Sequence, residues 1–168
     1  DAHYNDGALW ADDVKAVIDT LGLNNVVLNG WSYGGNVICD YLSRHGTDNI
    51  AGLHFVGASV ISGAKLPQFG PVLTRRVGKL ISPNSAIAIE HVRKFVRECT
   101  AVPSQREVFE TVVSWTMQTP VHVRLSLLKR TLNWLEFLAT VKIPALITHG
   151  TLDYVMLPLM ARQLKEAM

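Results

Sequence analysis

One stretch, residues 26–35 (VVLNGWSYGG), constrains the fold more than any other part of the chain. Its first three residues form a β-branched apolar run, and the segment 36–42 that follows carries apolar residues at helical spacing. Between them lies a serine, Ser32, with glycines two positions away on either side. The pattern predicts a buried strand, a sharp turn at Ser32 and a helix, which is the order found in sheets of parallel strands.

The GxSxG spacing favours a nucleophile elbow, in which a strained backbone at Ser32 presents the hydroxyl at the tip of the turn. Gly30 and Gly34 are predicted to be required because a side chain at either position would collide across the turn, and Gly35 lets the helix begin close by. Two alternatives are a phosphate cradle at a helix N-terminus and a simple helix cap at Ser32. The chain has neither GxGxxG nor GxxxxGK[ST], and a cap would not explain the flanking glycines.

Composition limits the class of protein. The chain has 168 residues, of which 48% are hydrophobic and 18% charged, so it can bury the core of one domain. A net charge of +2 does not suggest a nucleic-acid or membrane partner. Cys39 and Cys99 are too few for a disulfide framework and lack metal-ligand spacing. We expect both to be buried thiols of a cytoplasmic protein without metal or cofactor.

The elbow lies inside a repeating strand and helix pattern. Apolar residues at helical spacing over residues 9–21 predict a helix that Gly22 ends. The helix after the elbow is predicted to stop at Gly46, and residues 50–57 form a second apolar strand. A strand, helix and strand in this order predict parallel pairing and an α/β fold.

The middle of the chain has a different pattern of apolar and polar residues. Residues 63–141 predict four or five amphipathic helices and no strand, with a capping box at residues 104–107. Strand character returns at Ala145–Thr148. We therefore predict a core formed by residues 1–62 and 142–168. The helical region 63–141 would be a cap over the carboxyl ends of the strands, where α/β sheets bind ligands.

Three segments together resemble the α/β-hydrolase fold superfamily: residues 30–35 (GWSYGG), 41–46 (YLSRHG) and 143–153 (IPALITHGTLD). Within it the chain resembles the group of cofactor-free haloperoxidases and esterases. The resemblance implies a partial α/β-hydrolase fold, with three parallel strands, flanking helices and a helical cap. In that family the helix of residues 9–21 follows the fourth strand. We therefore expect an internal portion of a longer protein, without the first strands and the C-terminal segment.

The resemblance also implies roles for single residues. Ser32 matches the nucleophile, whose attack needs a histidine to take its proton. The backbone N–H of Tyr33 matches one donor of the oxyanion hole, and Asp153 matches the acid that orients the histidine. Asp153 has a simpler alternative role as a loop residue that closes a turn. Trp31, next to the nucleophile, is expected to line the substrate site.

The family's histidine follows the acid, yet the chain has no histidine after Asp153. His149 lies just before the turn that contains Asp153, which we call the acid turn, and a packing or hydrogen-bonding role is expected for it. His45 lies at the far end of the elbow helix. The resemblance implies a serine hydrolase that cleaves a small ester or related acyl compound, inactive as this portion alone. The alternatives are a haloperoxidase-like perhydrolase and a non-catalytic ligand-binding or truncated member.

Overall fold

The computed structural model describes residues 2–168 as a three-stranded sheet with helices and a separate two-stranded ladder. The strands are β1 (Val26–Trp31), β2 (Ile50–Val56), β3 (Ile61–Ser62), β4 (Leu132–Asn133) and β5 (Ala145–Thr148). The helices are α1 (Gly7–Thr20), α2 (Gly34–His45), α3 (Pro71–Leu80), α4 (Ser85–Glu98), α5 (Arg106–Gln118), α6 (Val121–Lys129), α7 (Leu135–Leu138) and α8 (Leu159–Ala167). A 3₁₀ turn, Ala2–Asn5, precedes α1.

The main sheet has the order β1-β2-β5, and both pairings are parallel. At its carboxyl edge Trp31 lies opposite Val56, which lies opposite Thr148. The loops that follow the three strands therefore begin side by side at one edge. The predicted α/β fold with three parallel strands is confirmed.

The two faces of this sheet differ. Along β1, Val26 and Leu28 pack against the main core, which also contains Phe55 of β2 and residues of α1, α2 and α8. The alternate residues Val27 and Trp31 are 59% and 75% exposed. Successive side chains of a strand point to opposite faces, so one face of the sheet is covered and the other exposes apolar side chains.

The helical region contains a strand that the sequence analysis did not predict. β4 pairs antiparallel with β3, and the Trp134 N–H then donates to the Val60 carbonyl at 3.0 Å. The expectation of no strand within residues 63–141 is therefore wrong, because a ladder of two residues is too short to leave an alternating pattern. Apart from this short ladder, α4 and α5 share a small core of their own around Val92 and Phe109.

Two smaller expectations are also wrong. The N-cap of α5 is Gln105, which makes no side-chain capping bond, so the capping box at residues 104–107 does not form. Cys39 is buried as expected, but Cys99 is exposed at the end of α4. No helix formed by residues 2–168 combines the length and apolar character needed to cross a bilayer.

Candidate active site

Ser32 follows β1 in a backbone conformation that non-glycine residues rarely adopt, with φ of 53°. Three hydrogen bonds hold it there. Its N–H donates to the Val56 carbonyl at 3.1 Å, and its carbonyl accepts from the N–H groups of Ser59 at 2.9 Å and Gly35 at 3.1 Å. Such strain costs about 1–3 kcal/mol and persists where neighbouring contacts fix it. The Ser32 side chain is exposed, and its hydroxyl has no hydrogen-bond partner among residues 2–168.

The glycines around Ser32 do not all have the predicted role. A Cβ at Gly30 would lie 2.7 Å from the carbonyl carbon and oxygen of Gly34, so Gly30 is required sterically. A Cβ at Gly34 would meet nothing within 4 Å, and the expectation of a collision there is wrong. Gly34 contributes the backbone that Gly30 approaches. The second tight position is Gly35, where a Cβ would lie 2.5 Å from the Ser59 carbonyl oxygen.

Tyr33 begins the elbow helix as the N-cap of α2, with φ of −58°. Its carbonyl accepts from the Asn36 N–H at 2.9 Å, while its own N–H has no partner in the described part of the chain. The Tyr33 side chain is fixed at two places, by the Trp10 ring at 6.3 Å and by Arg130 Nη1, which donates to its hydroxyl at 3.2 Å. Burial raises the pKa of Tyr33, so the hydroxyl stays protonated at neutral pH. The free N–H lies at the positive end of the α2 dipole.

Asp153 lies in the turn after β5 and uses its two carboxylate oxygens differently. Oδ1 accepts from the N–H groups of Val155 at 2.8 Å and Met156 at 3.0 Å. Oδ2 would lie 3.5 Å from a Cβ at Gly57, the residue that follows β2. The acid turn thus reaches the end of β2, whose last residue, Val56, accepts the Ser32 N–H. Ser32 and Asp153 therefore lie at the same edge of the sheet.

His149 and His45 contact groups other than Ser32. His149 is 7% exposed, and its Nε2 donates to the Met156 carbonyl at 2.7 Å and lies 3.4 Å from Asp153 Oδ2. His149 thus contacts two residues of the acid turn, in agreement with its predicted hydrogen-bonding role. His45 contacts Asp12 at the end of α2. Within residues 2–168 no histidine makes a hydrogen bond to Ser32.

A segment that sequence reasoning missed crosses the acid turn at the start of α3. We call residues 68–72 the strap. The Gly70 N–H donates to the Val155 carbonyl at 2.8 Å and the Val72 N–H to the Tyr154 carbonyl at 3.1 Å. The Leu157 N–H donates back to the Gln68 carbonyl at 2.8 Å. These bonds join residues about 85 apart in sequence, so no local pattern marks them.

Gly70→Ala is expected to destabilise the protein by about 1–3 kcal/mol, the usual cost of overpacking. A Cβ at this position would lie 2.0 Å from the Tyr154 carbonyl oxygen, so the strap and the acid turn would have to separate. Thermal unfolding measures the effect. The matched control is Gly78→Ala within α3, where a Cβ meets nothing and alanine favours the helix by about 1 kcal/mol. Equal melting temperatures for the two variants would contradict the packing described.

Trp31 ends β1 with its side chain on the exposed face of the sheet, and its predicted role in lining the substrate site stays a prediction. Across residues 2–168 no group of three or more histidine, cysteine or acidic side chains is placed to hold a metal ion.

The sequence matches the model of the alpha/beta hydrolase fold family over residues 4–168. The chain belongs to the α/β-hydrolase fold family. This assignment confirms the resemblance drawn from the elbow and acid-turn segments. Among curated relatives, the AB hydrolase superfamily protein YisY of Bacillus subtilis (strain 168) is 28% identical over 161 residues. That match covers 93% of this α/β-hydrolase chain and 59% of YisY.

Solved structures of α/β-hydrolases show the same architecture. The esterase RhEst1 from Rhodococcus sp. ECU1013 has a TM-score of 0.92 and 34% identity, covering 98% of this chain and 62% of that one. A bromoperoxidase from Bacillus anthracis has a TM-score of 0.80 at 20% identity, covering 98% and 63%, and shows a common fold. The chain thus spans about three fifths of the length of these relatives.

Proposed function

We propose that this chain carries the nucleophile and the acid of a serine hydrolase that cleaves a small ester or related acyl compound through an acyl-serine. One observation carries the proposal. Ser32, whose φ is positive, exposes an unpartnered hydroxyl at the same sheet edge as Asp153. The similarity to the esterase RhEst1 supports esters as the substrate class. The proposed partner is accordingly a small molecule.

The proposed reaction has two stages. Ser32 Oγ attacks the ester carbonyl carbon as a histidine takes its proton, and the carbonyl oxygen becomes an oxyanion that the Tyr33 N–H stabilises. The alcohol then leaves with the proton from the histidine, and an acyl-serine remains. A water molecule attacks this acyl group by the same route and frees Ser32. Asp153 Oδ2 keeps the histidine oriented and stabilises its charged form.

The general base is proposed to be a histidine outside these 168 residues. Four observations support this. His149 is engaged with the Met156 carbonyl, and His45 with Asp12. His54 Nε2 bonds to the Thr148 hydroxyl at 3.0 Å. Asp153 Oδ2, in contrast, accepts none of the backbone N–H bonds that occupy Oδ1. In the experiments that follow, the full-length protein means a polypeptide of about the same length as the relatives named above that contains this chain.

The helical region 63–141 is proposed to be the cap of the substrate pocket, with the core formed by residues 1–62 and 142–168. The strap supports a position beside the acid, because it joins the start of α3 to the acid turn. The end of α4 gives a second indication. Neighbouring groups partly desolvate the Cys99 thiol, although its side chain is exposed, and together with the nearby Asp153 carboxylate they raise its pKa to about 11.

Rapid mixing of the full-length protein with p-nitrophenyl acetate tests the proposal. We expect a burst of p-nitrophenol equal to the enzyme concentration, and one acetyl group on the peptide that contains Ser32. The 168-residue chain alone is the control and should show negligible turnover. Ser32-dependent turnover by that chain would overturn the assignment of an external base. An acetyl group on another residue, or undiminished turnover by Ser32→Ala, would overturn the role of Ser32 as the nucleophile.

The same experiment separates the alternatives. With hydrogen peroxide present, a perhydrolase forms the same acyl-serine and then releases peracetic acid instead of acetate. A hydrolase in the proposed sense releases acetate at an almost unchanged rate. A non-catalytic member binds the ester without a burst.

A further inference from the structure

A buried ion pair connects the helical region to the elbow helix. Arg130, directly after α6, donates from Nη1 to Asp40 Oδ2 at 2.8 Å and from Nη2 to Oδ1 at 2.6 Å. The two side chains are only 6% and 3% exposed. Asp40 lies in the middle of α2, about two turns after Tyr33. This paired geometry is the strongest form of a charge-assisted hydrogen bond and fixes direction as well as distance.

The pair also contacts the N-cap residue of the elbow helix and the start of α1. Arg130 Nη1 also donates to the Tyr33 hydroxyl at 3.2 Å, and the Tyr33 ring packs on Trp10. A Cβ at Gly7 would lie 2.3 Å from Asp40 Oδ1 and 2.5 Å from Arg130 Nη2. The backbone at the start of α1 therefore lies against the ion pair. Gly7, Tyr33 and Asp40 therefore all lie against the guanidinium group.

Stability alone is a poor explanation for such a pair. Removing two charges from water is costly, and an apolar pair of similar volume usually holds two elements together as well or better. An apolar side chain at position 130 could not donate to the Tyr33 hydroxyl or fix the direction of α2. What the ion pair adds is therefore orientation of the residue that follows the nucleophile.

We infer that Arg130 is a positioning residue for the hydrolase reaction, and this inference rests on the function proposed above. Through Asp40 it holds α2, and through the Tyr33 hydroxyl it holds the side chain of the residue whose N–H is the proposed oxyanion donor. The Tyr33 peptide is thereby fixed before substrate arrives. A segment of the helical region thus controls the geometry of the nucleophile turn, and Arg130 and Tyr33 are 97 residues apart in sequence.

The decisive variant is the full-length double substitution Asp40→Leu with Arg130→Met, which replaces the whole pair by apolar groups. We expect its melting temperature to match or exceed that of the parent. The acylation burst rate and kcat for p-nitrophenyl acetate should fall about 10- to 100-fold with KM nearly unchanged, because a small misplacement of a catalytic group has effects of this size. The single variant Arg130→Lys should also show a reduced burst rate, since an ammonium cannot make the paired contact with Asp40.

A matched control exists on the same helix. Arg44, near the other end of α2, makes an exposed paired contact with Asp12, from Nε at 2.6 Å and Nη2 at 2.9 Å. The double variant Asp12→Leu with Arg44→Met should keep the parent's burst rate. A parental burst rate in the Asp40→Leu, Arg130→Met protein would overturn the positioning role.

If the Asp40→Leu, Arg130→Met protein does not fold, Tyr33→Phe tests the positioning role instead. It removes only the hydroxyl contact, and the ion pair with Asp40 remains. We expect a reduced burst rate at an unchanged melting temperature, and a parental rate would overturn the inference. Failure of the proposed function is distinguishable, because it would appear as a burst that survives in Ser32→Ala. A Ser32-dependent burst that is insensitive to the changes at positions 33, 40 and 130 rejects the positioning role alone.

Discussion

Ser32→Ala in the full-length protein is expected to lower kcat for p-nitrophenyl acetate by on the order of 10⁵-fold or more, the scale seen when other serine triads lose their nucleophile. The substitution removes only the hydroxyl. The three backbone bonds to Val56, Ser59 and Gly35 do not involve the side chain, so the turn should persist. A fluorophosphonate probe should no longer label the protein. Steady-state rates and gel-based labelling measure both effects.

The control for this change is Ser43→Ala, which removes an exposed hydroxyl from the same helix, α2. It should keep the parent's rate and label. Undiminished labelling of Ser32→Ala would place the nucleophile at another residue and end the elbow assignment.

Asp153→Asn is expected to lower kcat about 10⁴-fold, as the equivalent change does in a serine protease triad. Asparagine keeps an oxygen that can accept from Val155 and Met156, so the acid turn should stay folded. What it loses is the negative charge of Oδ2, and with it the correct orientation of the histidine. The melting temperature should change little while kcat collapses.

Asp19→Asn is the matched control, because this carboxylate pairs with Lys15 on the exposed side of α1. It should leave kcat unaltered, since exposed ion pairs contribute little. A loss of tenfold or less in Asp153→Asn would mean that another acid orients the base.

The core elements could be predicted because each combines a regular apolar pattern with a backbone signal that ends it. Gly22 and Gly46 stop α1 and α2 with φ of 59° and 73°, values that favour glycine. The strand before Ser32 and the strand at residues 50–57 are short apolar runs of the kind that parallel sheets bury. Such local signals are sufficient to predict parallel strands and an α/β fold, whereas the roles of Ser32 and Asp153 are predicted from the resemblance to α/β-hydrolases.

The features that tie the site together could not be predicted, because they depend on contacts distant in sequence. The bond between Arg130 and Asp40 and the strap across the acid turn have no repeating pattern. The same reason explains the error at Gly34. Which glycine of the elbow is sterically required depends on where the Ser59 carbonyl lies, and here it lies against Gly35.

The central claim is that Ser32 and Asp153 serve one reaction path, and the kcat of the full-length double variant Ser32→Ala, Asp153→Asn tests it most directly. Once the nucleophile is lost, an acid that acts only through its histidine has nothing further to assist. The double variant should therefore be no slower than Ser32→Ala alone. A further loss approaching the roughly 10⁴-fold effect of Asp153→Asn by itself would show that the two residues act independently and would contradict the account.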